Sequence, residues 1–231
     1  MDVNLFNITE DELKQKKKDI FMGISLGVLK PLTRNLAKDY IKWALDNTKE
    51  KVAILVADEI AKFNYKIFSK YSSGKAEKRA IKEGDKHIDF FREIISGFPK
   101  EDQKKIIILR WKEIWDRRKE RIKKILEEEY NSNKKFKENV LDFLKKYSKK
   151  REKILSEKEM DSLSQYILYE MSTLLDGIQY KGNAYTLLLY PAFESSGMSE
   201  FVTKIINGNL FPDLRKRLRD INNTSMVETY L

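Results

Sequence analysis

The run Val52-Ala53-Ile54-Leu55-Val56-Ala57 is apolar at every position, and it restricts the chain more than any other segment. A strand with one wet face alternates apolar and polar residues. A strand that is apolar throughout must be covered on both faces, as in a parallel sheet between layers of helix. Similar runs recur. Asp19 to Leu26 reads as a short buried strand, Ile106-Ile107-Ile108-Leu109 as another, and Tyr185-Thr186-Leu187-Leu188-Leu189-Tyr190 as a late strand ended by Pro191. Helical patterns separate them. Pro31 to Asn47 has Pro at its start and Leu32, Leu36, Tyr40, Trp43 and Ala44 on one face. Lys75 to Ser96 follows a loop around Tyr71-Ser72-Ser73-Gly74, and a long charged stretch from about Trp115 to Lys150 is broken near Asn131-Ser132-Asn133. Ser156, with Glu159 placed for a capping box, opens a further helix that runs past Glu170. The alternation predicts an α/β fold. It is a single Rossmann-like domain over residues 1–231, a parallel sheet flanked by helices with extra helical insertions.

A chain of 231 residues can bury one substantial core, and no Pro/Gly/Ser-rich linker divides it. There is no Cys and the one His is His87, which excludes disulfides and thiol catalysis and makes a zinc site or a histidine triad hard to build. No metal is expected. The dinucleotide and P-loop glycine signatures are absent, so neither NAD nor ATP has support and no cofactor is expected. Met1 to Lys18 is acidic and then basic, with no signal-peptide core, and no stretch reaches the length of a membrane span. A cytoplasmic protein, monomeric and without a membrane partner, is expected. The net charge of +10 and a pI near 9.4 fit a polyanionic partner, although solvated helix faces produce the same composition.

Ser25 stands just past the apolar Phe21-Met22-Gly23-Ile24 and just before Gly27, at the carboxyl end of a strand, where open α/β sheets bind ligands. Far downstream, Tyr166 and Glu170 are four apart on a helix and share one face, and Tyr190 closes a later strand. Each alone has an ordinary structural explanation, as cap, surface pair or core edge. Together they bring polar groups from separate elements to one sheet edge.

These residues resemble the cyclodipeptide synthases, a family similar to the catalytic Rossmann domain of class I tyrosyl- and tryptophanyl-tRNA synthetases. The resemblance covers nearly the whole chain. Gly23-Ile24-Ser25 is similar to the family's nucleophile segment, Tyr166 and Glu170 to its helix pair, and Tyr190-Pro191 to its terminal tyrosine motif. Val28 stands where one branch carries Asn and Pro191 where it carries His, so the sequence resembles the other, XYP-type branch. The resemblance implies two aminoacyl-tRNAs as substrates and a diketopiperazine as product. Ser25 would take the first aminoacyl group; Glu170 and Tyr166 would hold its α-ammonium; a second aminoacyl-tRNA would supply its amine and leave a dipeptidyl-enzyme; Tyr190 would orient groups or relay protons during ring closure. Phe21, Gly23, Thr173 and Leu188 match positions near the first side-chain pocket, whose apolar character suggests Leu, Phe or Met.

The resemblance also gives the basic helix a role. Lys75, Lys78, Arg79, Lys82 and Lys86 share much of one face, where the family contacts tRNA, while Ile81, Ile88 and Phe91 can face the core. The stretch Arg117 to Glu129 alternates in sign and reads as solvated pairs, Trp111 as core, and His87 as a surface residue. Two readings stay open: an aminoacyl-tRNA-dependent transferase, or a non-catalytic basic α/β module that binds RNA.

Overall fold

The apolar runs form the middle of a 7-stranded sheet, in a computed structural model that describes residues 2–26, 32–191 and 197–230. In chain order the first elements are β1 (Asp2–Phe6), α1 (Glu10–Lys14), β2 (Asp19–Ile24), α2 (Arg34–Asn47), β3 (Val52–Val56), α3 (Ala61–Phe68), α4 (Ser73–Ser96), α5 (Lys100–Gln103) and β4 (Ile106–Arg110). There follow α6 (Trp111–Ile114), α7 (Arg117–Ser132), α8 (Lys134–Lys150), α9 (Glu157–Asp176), β5 (Ile178–Tyr180), β6 (Asn183–Pro191), α10 (Met198–Ile206), α11 (Pro212–Arg217) and β7 (Ser225–Tyr230).

The strand order is β1-β7-β6-β2-β3-β4, with β5 paired to β6. β7, β6, β2, β3 and β4 run parallel, as unbroken apolar runs require, whereas β1 lies antiparallel on β7 and β5 antiparallel on β6. The sheet is therefore mixed, with its antiparallel pairs outside the predicted parallel centre. Side chains alternate between two cores. Phe21, Ala53, Leu55, Leu109 and Leu188 meet α3 and α6 through α11 on one face; Ile20, Met22, Ile54, Leu187 and Leu189 meet α1, α2 and α4 on the other. Burying one such side chain stabilises by about 1.5–3 kcal/mol, and this doubly covered sheet gains it on both faces.

The local signals operate as chemistry predicts. Ser156 accepts from the Glu159 N–H while the Glu159 carboxylate accepts from the Ser156 N–H, and Asn133 caps α8, dividing the charged stretch there. The first long helix begins at Arg34, capped by Thr33; Pro31 lies outside the described residues. Ile88 and Phe91 are buried, Ile81 is half-buried, and Trp111 is core at 3% exposure.

One expectation needs correction. Lys119, Lys123 and Glu129, expected on a solvated face, are buried. Tertiary partners explain this: Asp176, fully buried, accepts from Arg118 Nε at 2.7 Å, Lys119 Nζ at 3.1 Å and the Asn222 N–H at 2.8 Å, and Arg217 reaches Glu129 at 3.3 Å.

The order of strands also marks the place where open α/β sheets take their ligands. β2 continues to β3 on one side, whereas β6 continues to β7 on the other, so the crevice at the carboxyl ends of β2 and β6 is the topological switch point. Ser25 immediately follows β2, and Tyr190 lies at the end of β6.

Candidate active site

Register builds the floor of this crevice. Phe21 on β2 pairs with Leu188 on β6, and both side chains point to the helix-rich core at 1% and 2% exposure. Gly23 lies two residues on, on the same face. A Cβ there would stand 3.5 Å from Leu188 Cδ1 and 3.7 Å from the Tyr190 ring, so the missing side chain leaves room beside both. Tyr190 pairs across β7 with Glu228, which is buried.

The wall is α9. Tyr166, Glu170 and Thr173 recur at helical spacing and share a stripe, and the Tyr166 and Ser25 hydroxyls hydrogen-bond to each other. That contact joins the strand end to the helix. Tyr166 is buried, while Ser25, Glu170 and Tyr190 are only half-buried, as groups lining a cleft are. Thr173 is at 2% exposure and its Oγ1 makes no hydrogen bond, so the expected pocket carries one unsatisfied hydroxyl among apolar groups.

Electrostatics then sorts the groups. Burial pushes the Glu170 carboxyl up to about 7. None of the ion pairs among the described residues involves Glu170. Burial, reinforced by Glu170 and by neighbouring tyrosines, raises both Tyr166 and Tyr190 above the ordinary phenol. The phenols therefore stay neutral near pH 7 and serve as hydrogen-bond donors, whereas Glu170 can hold or release a proton there.

A further tyrosine completes the cluster. The Tyr147 ring lies nearly parallel to Tyr166, centroids 6.5 Å apart; its hydroxyl accepts from Arg151 Nη2 at 2.8 Å and donates to Asn64 Oδ1 at 3.3 Å. Its pKa is raised by burial, with Arg151 opposing and Glu170 adding to the rise. Neither Tyr147, Asn64 nor Arg151 was legible as a site residue. They come from α3, α8 and the turn after it, and only packing onto α9 brings them together.

The basic residues lie where the helical spacing predicts. Lys75, Lys78, Arg79, Lys82 and Lys86 are all exposed on α4. Arg79 and Lys86 each pair with Glu83 at 2.9 Å, and Lys75 Nζ sits 4.2 Å from the Tyr71 ring centroid; none of the ion pairs among the described residues involves Lys78 or Lys82. His87 is half-buried, its Nδ1 2.9 Å from the Glu83 carbonyl oxygen, which ties the ring to its own helix. Val28 lies outside the described residues, and Pro191 is the last residue of β6. No group of His, Asp and Glu among the described residues is arranged to hold a metal ion, and no helix among them is long and apolar enough to cross a membrane.

A family model for cyclodipeptide synthases matches residues 6–202. No curated protein matches the chain by sequence. Among solved structures, a CDPS from Staphylococcus haemolyticus is 21% identical, with a TM-score of 0.72 over 100% of this chain and 99% of that one. A Mycobacterium tuberculosis protein, whose structure is described as demonstrating that cyclodipeptide synthetases are related to type I tRNA synthetases, is 15% identical, with a TM-score of 0.66 over 86% of this chain and 83% of that one. The cyclodipeptide synthase from Candidatus Glomeribacter gigasporarum bound to Phe-tRNAPhe is 16% identical, with a TM-score of 0.58 over 92% of this chain and 87% of that one. At these identities the structural likeness speaks for the fold.

Proposed function

Because the chain belongs to the cyclodipeptide synthase family, we propose that it draws both aminoacyl groups from aminoacyl-tRNAs and joins them on Ser25. The observation that carries this is Glu170, a carboxylate raised to about 7 by burial, beside tyrosines and a serine at the switch point of the sheet. An α-ammonium supplies the positive charge that such a buried group favours. The relative bound to Phe-tRNAPhe supports an aminoacyl-tRNA as its source.

In the first step Ser25 Oγ attacks the ester carbonyl of the first aminoacyl-tRNA. The bond to the ribose oxygen breaks, the serine proton ends on that oxygen, and the tRNA leaves. An ester is already activated, so the step needs no ATP. A dipeptidyl-enzyme as the next intermediate then sets the polarity of the second step. An incoming amine attacking the acyl-serine would carry the dipeptide away on the RNA. A dipeptidyl-enzyme instead requires the amine of the residue held on Ser25 to attack the second ester carbonyl, so that the bond to the second ribose oxygen breaks and the second tRNA leaves with a proton on that oxygen, which corrects the expectation that the second substrate supplies the amine. Glu170 holds that amine as an ammonium and takes its proton; Tyr166 and Tyr190, neutral, donate hydrogen bonds around it. The free amine of the second residue finally attacks the Ser25 ester, closing the ring and restoring the serine, helped by the high effective molarity of an intramolecular step.

The chain is read as one domain over residues 1–231, monomeric and cytoplasmic, of the XYP-type branch on the strength of Val28 and Pro191. Phe21, Gly23, Leu188 and Thr173 form the first pocket, which favours apolar residues and yields several products, because hydrophobic pockets separate close homologues by only about 1–3 kcal/mol per methylene. Radiolabelled aminoacyl-tRNA should leave label on the wild-type protein and none on Ser25→Ala, with product masses naming the incorporated residues. Product at the wild-type rate from Ser25→Ala would falsify the covalent route, and RNA binding with neither label nor product would favour the non-catalytic module.

A further inference from the structure

Between the basic face of α4 and the buried site lies α3, which packs against both α4 and α9. It carries Tyr65. This ring stacks on Tyr71 with centroids 6.4 Å apart and 15° between planes, and both tyrosines are half-buried rather than enclosed. Cations frame the pair. Lys75 Nζ lies over Tyr71 at 4.2 Å, the Arg79 guanidinium attracts the Tyr65 hydroxyl, and Arg151, its Cζ 4.8 and 4.7 Å from the Phe68 and Tyr147 ring centroids, acts on Tyr65 through its charge. On the inner side Tyr65 shares α3 with Asn64, whose Oδ1 accepts from the Tyr147 hydroxyl at 3.3 Å, and Tyr147 stacks on Tyr166, the partner of Ser25. A path of rings and positive charges thus leads from α4 to the nucleophile.

Accessible rings flanked by cations are how proteins hold unpaired nucleotides: each base has a π-face to stack, and the cations meet its phosphate. The acceptor end of a tRNA is single-stranded, and its terminal adenosine must reach Ser25. We propose that Tyr65 and Tyr71 form the stacking platform for an unpaired base preceding that adenosine, with Lys75, Arg79 and Arg151 facing its backbone. This rests on the aminoacyl-tRNA reading above and adds to it the place where the RNA passes from helix to single strand. The duplex lies on Lys78 and Lys82, and the last unpaired nucleotides cross α3.

The experiment compares deacylated tRNA with the same tRNA lacking its four unpaired 3′ nucleotides. Wild type should bind the intact form about tenfold more tightly, the order of one stacked base. Tyr65→Leu/Tyr71→Leu should lose that advantage, binding both RNAs as wild type binds the trimmed one and with the wild-type salt slope, while Tyr65→Phe/Tyr71→Phe should keep it. Wild type showing no preference for the intact end, or the Leu variant retaining it, overturns the platform and leaves the tRNA reading standing. If the Leu variant binds neither RNA, pyrrolo-cytosine placed in the acceptor end of tRNA bound to wild type decides: quenching of its fluorescence supports the stack, and unchanged fluorescence overturns it. Wild type without affinity for either RNA overturns both readings.

Discussion

Glu170 ionises at about 7 in the folded protein against an ordinary 4.5, and the difference has a sign that can be measured. Between those values the folded chain keeps a proton that the unfolded chain has released, so stability falls as pH rises through this window and then levels off. Glu170→Gln removes the effect. Denaturant midpoints of variant and wild type should diverge as pH rises from about 4.5 to about 7, in favour of the variant, by at most on the order of 3 kcal/mol because the cleft is partly open. Equal midpoints across that range would deny the raised pKa. The same variant separates two roles in catalysis. Loss of the charged anchor alone predicts no acyl-enzyme, loss of the base alone predicts acyl-enzyme that accumulates without product, and normal turnover rejects both. Single-turnover trapping should show stalling with partly slowed acylation, because each peptide-forming step releases a proton and the chain's one His, His87, is tied to α4. The residue types of this site were legible in Ser25, Tyr166, Glu170 and Tyr190, since strand ends and helical spacing place them. Tyr147, Asn64, Arg151 and Glu228 were not, since their sequence neighbourhoods are ordinary helix, turn and strand.

The α4 helix brings its cations into place through its opposite face. Ala76, Ala80 and Gly84 form a small-residue stripe, and a Cβ at Gly84 would come within 2.6 Å of Asp58 Cβ. Asp58 is itself held by Arg110 Nη1 at 2.7 Å and by the Trp111 N–H at 3.2 Å, so α4 seats closely on the carboxyl ends of β3 and β4. Outward from this seat, Lys78→Glu with Lys82→Glu should weaken binding of every tRNA and reduce the salt dependence by about one unit of slope per lost phosphate contact. An unaltered slope with intact circular dichroism would mark a merely solvated face. The periodicity of α4 was legible; that Arg79 and Lys86 are engaged by Glu83 was not, because the same spacing suits an ion pair or an RNA contact. Elements with unbroken apolar runs were likewise legible, whereas β1 and β7 were missed. Their apolar residues form no run longer than two and are interrupted by Asn4 in β1 and by Glu228-Thr229 in β7, and their pairing joins segments far apart in sequence. α3 was missed as well, its eight residues between β3 and the loop at residues 71–74 carrying no assignment.

At the scale of the molecule, Asp176 ties α9 to α7 and to the segment before β7. Burial works to raise its pKa, but Arg118, Lys119 and the Asn222 N–H together bring it below the ordinary carboxylate value. Its contribution is therefore present above about pH 4 and lost as pH falls further. Asp176→Ala would leave Lys119 buried without its partner and should cost about 3–5 kcal/mol in equilibrium unfolding at neutral pH. A cost under about 1 kcal/mol would show the knot to be dispensable. The sheet, finally, is finished from its far end. β2 emerges early in synthesis, but its neighbour β6 and the strand beyond, β7, come last, and the strand that leads to Ser25 is joined to the one that carries Tyr190 only across that seam. While the chain is being made, Ser25 is an ordinary hydroxyl among a ribosome's own charged tRNAs; the neighbours that the proposed nucleophile needs arrive only when translation has passed the residues that complete its sheet.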